Sequence, residues 1–220
     1  MTAQNDYNPP PDDGLEIIFQ DKFLLAISKP PGLLSVPGRG EDKADSLITR
    51  VQKVYPDARV AHRLDRDTSG LLLFPRGAKI HRQISLMFEK REMDKSYVAV
   101  VMGKLEQEQG EVNMPLMVDW PNRPLHIVNT DNGKPATTRY KVLSFDELAH
   151  TSRIALEPLT GRTHQLRVHM QYLGHPIVGD TLYGGNADSK SPRLLLHAYT
   201  LDFTHPVTGE SMRLKSPIPF

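Results

Sequence analysis

The chain contains no cysteine, which removes disulfide staples, thiolate nucleophiles and thiolate metal sites at once. It also lacks any apolar run near the roughly 18 residues of a membrane-spanning helix. Its opening, MTAQNDYNPPPDDG, has neither the positive flank nor the apolar stretch of a secretion signal. These absences lead us to expect a soluble, cytoplasmic protein with no membrane partner. An excess of charge is missing too. Lys and Arg number 27 against 26 Asp and Glu, so the net charge of +1 neither demands nor excludes a polyanionic partner.

The distribution of charge says more than its sum. From Met1 to Asp21 the chain carries only acidic charge, whereas Arg59, Arg63, Arg66, Arg76, Lys79 and Arg82 crowd around Asp65 and Asp67. With 220 residues, 39% of them hydrophobic, the chain can fill a core without staples. Residues 1–14, with three consecutive prolines beside Asp12, Asp13 and Gly14, read as a flexible acidic tail. Residues 15–220 then read as a single domain.

Two β-rich runs, Leu15 to Phe19 and Phe23 to Ser28, predict a hairpin before the loop KPPGLLSVPGRG. Asp45 or Ser46 is placed to cap a helix carrying Leu47, Ile48, Val51, Val54 and Tyr55, ended by Pro56. LLLF, Leu71 to Phe74, reads as a buried strand, and Ile80, Ile84, Met87 and Phe88 mark an amphipathic helix. SYVAVVMG follows as a strand with Tyr97 near its start. The segment from Glu106 to Asn132, with Pro115, Pro121 and Pro124 around the sole tryptophan, Trp120, reads as an irregular excursion, and long loops tend to be functional. TTRYKVLSF and TSRIALEP predict strands. Thr163 can cap a helix with Leu166, Met170 and Leu173 on one face, and late strands are expected at Leu194 to Phe203 and Ser211 to Lys215. Strands joined mostly by short turns, with a few helices between, argue for an α+β domain on a largely antiparallel mixed sheet.

The densest chemistry lies in HRLDRDTSG, His62 to Gly70. Arg63 and Arg66 flank Asp65, and guanidinium neighbours keep a carboxylate ionised and oriented, as a nucleophile or base requires. DTSG supplies turn chemistry before the strand, which makes Asp67 structural. Three readings compete: a solvated charged loop, the Asp-x-Asp-x-Thr of aspartate phosphotransferases, and half of an aspartic-protease dyad. Against the first stands the core strand that follows at once. Against the second stand His62 and Arg63, which break the apolar run expected before the first Asp, and VGD, which offers only Asp180 where a metal pair is needed. Against the third stands the single copy of the tetrapeptide.

HRLDRDTSGLLL resembles the active-site signature of the RluA-type pseudouridine synthases. The resemblance continues in KPPGLLSVPG, KSYVAVVMG, LTGRTHQLRVHMQYLGHPIVGD and LLLHAYTL, in that order. It implies the fold of that family and an isomerase that turns a uridine of structured RNA into its C-glycoside isomer with no cofactor or metal. It further implies Asp65 as catalytic aspartate, Tyr97 as a tyrosine that stacks on the uracil or acts as a base, and Arg167 as the partner of the aspartate. His62 and Arg63 would flank the extruded nucleotide, with Leu196 in the apolar lining beneath it. Family members often carry an extra N-terminal RNA-binding domain. Here only a short acidic segment precedes LEIIFQ, which resembles members acting both on a hairpin of 23S ribosomal RNA and on the anticodon stem-loop of tRNA. A monomer with no obligate protein partner is expected.

The residues support this reading on their own terms. A paired uracil exposes neither C6 nor its glycosidic carbon, so it must be flipped out at a cost of a few kcal/mol. Arg59, Arg63, Arg66, Arg76, Lys79 and Arg82 are candidates to offset that cost through phosphate contacts. Tyr97 can offer a ring face to the base, although a tyrosine on such a strand, taken without the family, is more often core. Arg167 lies beside Leu166 and Met170; turned inward it requires a carboxylate, for which Asp65 is our choice, and turned outward it requires none. His164 and His169 are five apart and fall on different helix faces, unlike zinc ligands, which leaves them and His175 to pack, cap or touch phosphate. Three roles stay open to Asp65: addition to C6, attack on the ribose carbon, or abstraction of a ribose proton. The alternative from another class is a non-catalytic RNA-binding or chaperone module on the same fold.

Overall fold

The computed structural model describes residues 7–220, with side chains except those of residues 188 and 189. Its elements run β1 (Ile17–Gln20), β2 (Leu24–Lys29), α1 (Leu47–Val54), β3 (Ser69–Pro75), α2 (Gly77–Lys90), β4 (Asp94–Met102), β5 (Gln109–Asn113), β6 (Leu116–Val118), β7 (His126–Val128), β8 (Thr137–Asp146), β9 (Thr151–Pro158), α3 (Gln165–Tyr172), β10 (Leu196–Thr204) and β11 (Ser211–Lys215). The main sheet is ordered β1-β2-β3-β10-β4-β9-β8-β5, with β11 also on β10. Its pairs are antiparallel except β3 with β10, as expected for a largely antiparallel α+β fold.

Local chemistry explains several boundaries. Ser46 caps α1 by accepting from the Thr49 amide, while Thr49 reciprocates to the Ser46 amide, and the helix stops before Pro56. Leu24 to Ile27 and Leu71 to Phe74 are almost wholly buried, which is why these central strands read as continuous apolar runs rather than alternating ones. β9 alternates instead, turning Ser152, Ile154 and Leu156 inward. Among the described residues three apolar clusters result, the smallest around Leu116, Ala136, Val168 and Tyr183. One of the larger two gathers β2, β3, α1 and α2; the other gathers β4, β9 and α3; Tyr97 packs against both.

Three expectations change. Residues 1–6 of the expected flexible tail lie outside the described residues, and the part from Tyr7 to Pro11 is tied to the body. The Tyr7 hydroxyl donates to the Asp45 carbonyl and accepts from the Leu34 amide, each at 3.0 Å. Arg50, nearly buried, donates to the carbonyls of Pro10 at 2.6 Å and Pro11 at 3.0 Å. A buried guanidinium with five donors needs acceptors, and the proline-rich segment supplies carbonyls with few competing amides. Second, the excursion is not irregular throughout. β5 joins the edge of the main sheet on β8, and β6 pairs with β7 as a separate ribbon. Third, α3 is capped not by Thr163 but by His164, in the left-handed region at φ 56°. Residues Gln165 to Met170 are all buried, so packing rather than a polar cap holds this two-turn helix.

Candidate active site

The loop from His62 to Thr68 is fastened from below before it enters β3. Lys29, fully buried, donates to the carbonyls of Pro30, Leu33 and Arg66 at 2.7, 2.8 and 2.8 Å. Burial draws its amine down to about 7, with Asp67 and Asp65 pulling the other way. Three close acceptors match the three protons of an ammonium, the form this geometry fits. Ser35 bonds both the amide and the carbonyl of Leu64, at 3.1 and 2.7 Å. His62 accepts from the Leu73 amide at 2.9 Å and stacks on Phe88, with ring centroids 4.4 Å apart. Burial pushes its pKa down to about 3, consistent with an imidazole that accepts there. His62 thus anchors the loop as well as lining the cleft above it.

Gly70 ends the motif for a steric reason. Its φ is 106°, and a Cβ there would meet the Ala198 carbonyl oxygen of β10 at 2.3 Å. The one parallel pairing of the sheet brings the catalytic loop against β10 at this glycine.

Asp65 and Asp67 part company above this floor. Arg66 gives its fork to Asp67, at 2.9 and 3.1 Å, so the arginine beside Asp65 in sequence does not orient Asp65. Arg63 is exposed at the rim and makes no ion pair among the described residues. Asp65, 26% exposed, faces Arg167 Nη1 at 3.5 Å and His164 Nε2 at 3.9 Å. It accepts no hydrogen bond from the described residues, so its lone pairs stay available for a substrate.

Of the two orientations open to it, Arg167 takes the inward one, but its main partner is not Asp65. Its Nε and Nη2 donate to the two oxygens of Asp180 at 2.8 and 2.6 Å, and the amides of Leu182 and Tyr183 donate to the same carboxylate at 2.9 and 3.0 Å. Burial opposes both charges. The hydrogen bonds and mutual attraction nonetheless hold the Asp180 carboxyl below its usual range and the Arg167 guanidinium above its own. A bidentate fork takes one coplanar carboxylate, and Asp180 occupies it, leaving the third nitrogen for Asp65.

His164 belongs to the same cluster. The His126 amide donates to the Tyr183 hydroxyl at 2.9 Å, so that hydroxyl is free to donate to His164 Nδ1 at 2.7 Å. In the tautomer with that donation the ring proton sits on Nε2, the nitrogen that faces Asp65 at 3.9 Å. Burial lowers the His164 pKa to about 4, with Asp65 working against it, so the neutral tautomer prevails at pH 7. Tyr97, across the cleft, has its hydroxyl pushed above its ordinary range by burial and then by the Asp65 charge. This disfavours the base role that the resemblance allowed and leaves Tyr97 a ring face and a phenol donor. Leu196, buried, lies in the apolar floor.

The cleft encloses about 1220 Å³, more than the ~300–1,000 Å³ of typical small-molecule pockets. Asp65, Tyr97, Arg167, His62, Arg63, Arg66 and Leu196 all line it. Arg59, Arg76, Lys79 and Arg82 do not: Arg76 ion-pairs with Asp57 at 3.2 Å and stacks on Tyr55, while Lys79 and Arg82 are exposed on α2. β3 carries the chain away from the cleft before Arg76, so Arg76, Lys79 and Arg82 stand outside it. The cations that do line it include Arg91, Lys95 and Arg162. The remaining histidines are engaged by protein atoms, His169 with Thr138 and the Met114 carbonyl, His175 with the Met102 carbonyl.

Residues 23–172 match the family model described as RNA pseudouridylate synthase. The chain belongs to the RluA-type RNA pseudouridine synthases. It is 47% identical over 219 residues to the dual-specificity RNA pseudouridine synthase RluA of Escherichia coli K12, covering 99% of this chain and all of that one. The protein of the same name from Salmonella typhi is 48% identical over the same length. Among solved structures, human RNA Pseudouridylate Synthase Domain Containing 1 superposes with a TM-score of 0.80 at 28% identity, over 97% of this chain and 87% of that one. As a pseudouridine synthase the protein isomerises uridine in RNA to pseudouridine. No helix among the described residues is long and apolar enough to cross a membrane.

Proposed function

We propose that the protein modifies uridines in two kinds of structured loop, a hairpin of 23S ribosomal RNA and the anticodon stem-loop of tRNA, with Asp65 as the essential carboxylate. Full-length similarity to relatives named dual-specificity supports the breadth of substrate. One observation carries the catalytic part: Asp65 faces a large cleft with a guanidinium nearby and its own lone pairs uncommitted. In the reaction the N1–C1′ bond breaks, the uracil turns, C5–C1′ forms, the C5 proton leaves and N1, which carries no hydrogen in uridine, gains a proton, so no oxidant or reductant is needed. Arg167, held by Asp180, keeps positive charge beside the carboxylate. Tyr97 offers its ring to the flipped base over Leu196. Arg63 and Arg66, with Arg91, Lys95 and Arg162, supply cations for the phosphates of the displaced strand.

The test uses tRNA and ribosomal RNA fragments tritiated at uracil C5. Wild-type protein should release tritium from both, and Asp65→Asn, which keeps size and shape, from neither. Equal release by the two proteins would sink the assignment of Asp65, and release from one RNA class alone would sink dual specificity.

A further inference from the structure

The excursion that holds the sole tryptophan remains unused by the catalytic cluster. Residues Trp120 to Pro124 are all exposed, with Trp120 at 64%. The Arg123 guanidinium lies over the Trp120 ring, 3.6 Å from its centroid. One face of the indole is therefore covered by a cation, while the residue as a whole stays 64% exposed.

This turn is built rather than loose. The Asp119 amide donates to the Leu125 carbonyl, Asn122 to Asp119, and Leu125 to Asn122, at 2.9, 3.1 and 3.0 Å. Its underside packs: Leu125 and Val128 sit on a cluster of Leu116, Ala136, Val168 and Tyr183, of which Val168 belongs to α3. The His126 amide ties it to the Tyr183 hydroxyl and so to His164 beside Asp65. Pro124, next to Arg123, lines the catalytic cleft. A rigid stack thus stands at the rim of the site, anchored to the helix that supplies Arg167.

We propose that Trp120 and Arg123 form a stacking platform for a second unpaired base of the RNA, outside the pocket that receives the reacting uridine. The proposal rests on the RNA-modifying activity of the family. An aromatic face backed by a guanidinium suits a nucleobase, which brings a π-face to the ring and a phosphate to the cation. A loop opened to release one uridine leaves its neighbours unstacked, and a platform at the rim compensates part of that loss. Such a surface accepts any base, so it contributes affinity and loop shape rather than a sequence code.

Because Trp120 is the only tryptophan, its intrinsic fluorescence reports on this platform alone. The full-length protein is titrated with an end-labelled RNA hairpin carrying an unpaired, uridine-containing loop, with label anisotropy for binding and tryptophan emission for stacking. Quenching is expected as the hairpin binds, and none with a fully paired duplex of the same stem. Trp120→Ala should weaken hairpin binding about tenfold, with Trp120→Phe recovering most of the loss and thermal unfolding unchanged in both. Anisotropy change without quenching, or unaltered affinity in Trp120→Ala, overturns the platform while leaving the catalytic reading intact. A change of oligomeric state on Trp120→Ala with no change in RNA affinity assigns the face to a second copy of the chain and also overturns it. Absence of any anisotropy change with wild type would refute the hairpin as a ligand, and the platform with it.

Discussion

Arg167 is shared unequally between two carboxylates, with Asp180 holding its fork at 2.6 and 2.8 Å and Asp65 meeting its remaining nitrogen at 3.5 Å. The division separates two requirements that conflict in one residue. A buried arginine needs a fully committed partner, whereas a carboxylate that acts on a substrate needs its lone pairs free. Asp180 meets the first and Asp65 the second.

Asp180→Asn should therefore be costly to both stability and turnover. It leaves a buried guanidinium beside a neutral amide, worth about 3–5 kcal/mol by the cost of breaking buried pairs. Arg167 would also be drawn toward Asp65, engaging the lone pairs that chemistry needs. Urea unfolding together with tritium release at a temperature where the variant is folded checks this. Wild-type turnover in the folded variant would show that Asp180 only holds the fold.

His164→Asn tests the relay from the His126 amide through Tyr183. Asparagine tolerates the left-handed backbone at φ 56°, so the helix start survives while the ring proton facing Asp65 is lost. The ring stands 3.9 Å from Asp65 in this structure, and an N–H that closes on the charge once substrate is bound is worth roughly 1.4 kcal/mol, or about tenfold in kcat, with KM for RNA nearly unchanged. A rise in KM with unchanged kcat would instead mean that His164 serves RNA binding.

Stability should fall with acid in a window set by three histidines. Burial lowers His62 to about 3, His164 to about 4 and His197 to about 4, all below the ordinary 6.5. The unfolded chain takes up protons on them below pH 6.5 while the fold does not until pH 4 or 3. Their contribution is thus intact above pH 6.5 and lost as pH falls toward 4, by up to about 1.4 kcal/mol per pH unit for each. Urea midpoints measured from pH 7 to 4.5 should drop, and His62→Gln should flatten the slope. A flat profile for the wild type would mean that these rings take up protons within the fold.

How much of this was legible in the letters depends on the range of the contact. The buried runs Leu24 to Ile27 and Leu71 to Phe74 follow from local pattern and appear where expected, and of the two caps offered, Asp45 or Ser46, the structure uses Ser46; for Arg167 the pattern left inward and outward both open. Asp180 was visible only as a lone acid in VGD. Its role depends on a hydrogen bond across 13 positions, and the available clue was that a buried arginine and a reactive aspartate cannot fully satisfy each other. The contacts of Pro10 and Pro11 were hidden for the same reason, since Arg50 binds them across 40 and 39 positions. Arg76, Lys79 and Arg82 show the converse: neighbours in sequence, they are removed from the cleft by the strand between.

Gly70 links fold and chemistry at the one point where backbone alone decides. Its φ of 106° is disfavoured for any side chain, and the site of its missing Cβ lies 2.3 Å from the Ala198 oxygen, 2.7 Å from the Ala198 nitrogen and 2.9 Å from the Ala198 carbonyl carbon. These are backbone atoms of β10, which is held on its other side by β4 and cannot swing away as a side chain could. Gly70→Ala must therefore separate β3 from β10 or bend the loop that carries Asp65. The expected loss is at least about 3 kcal/mol, above the ordinary range for an exposed Gly-to-Ala change because strain and clash add. Turnover should fall even in the folded fraction, since the shift is passed directly to Asp65 five residues earlier. Gly161→Ala is the control for the urea midpoint alone, because a Cβ there meets nothing within 4 Å while the residue itself lines the cleft. Unchanged urea midpoints and turnover in Gly70→Ala would show that the strands have room to part, and that Asp65 is not held through this crossing.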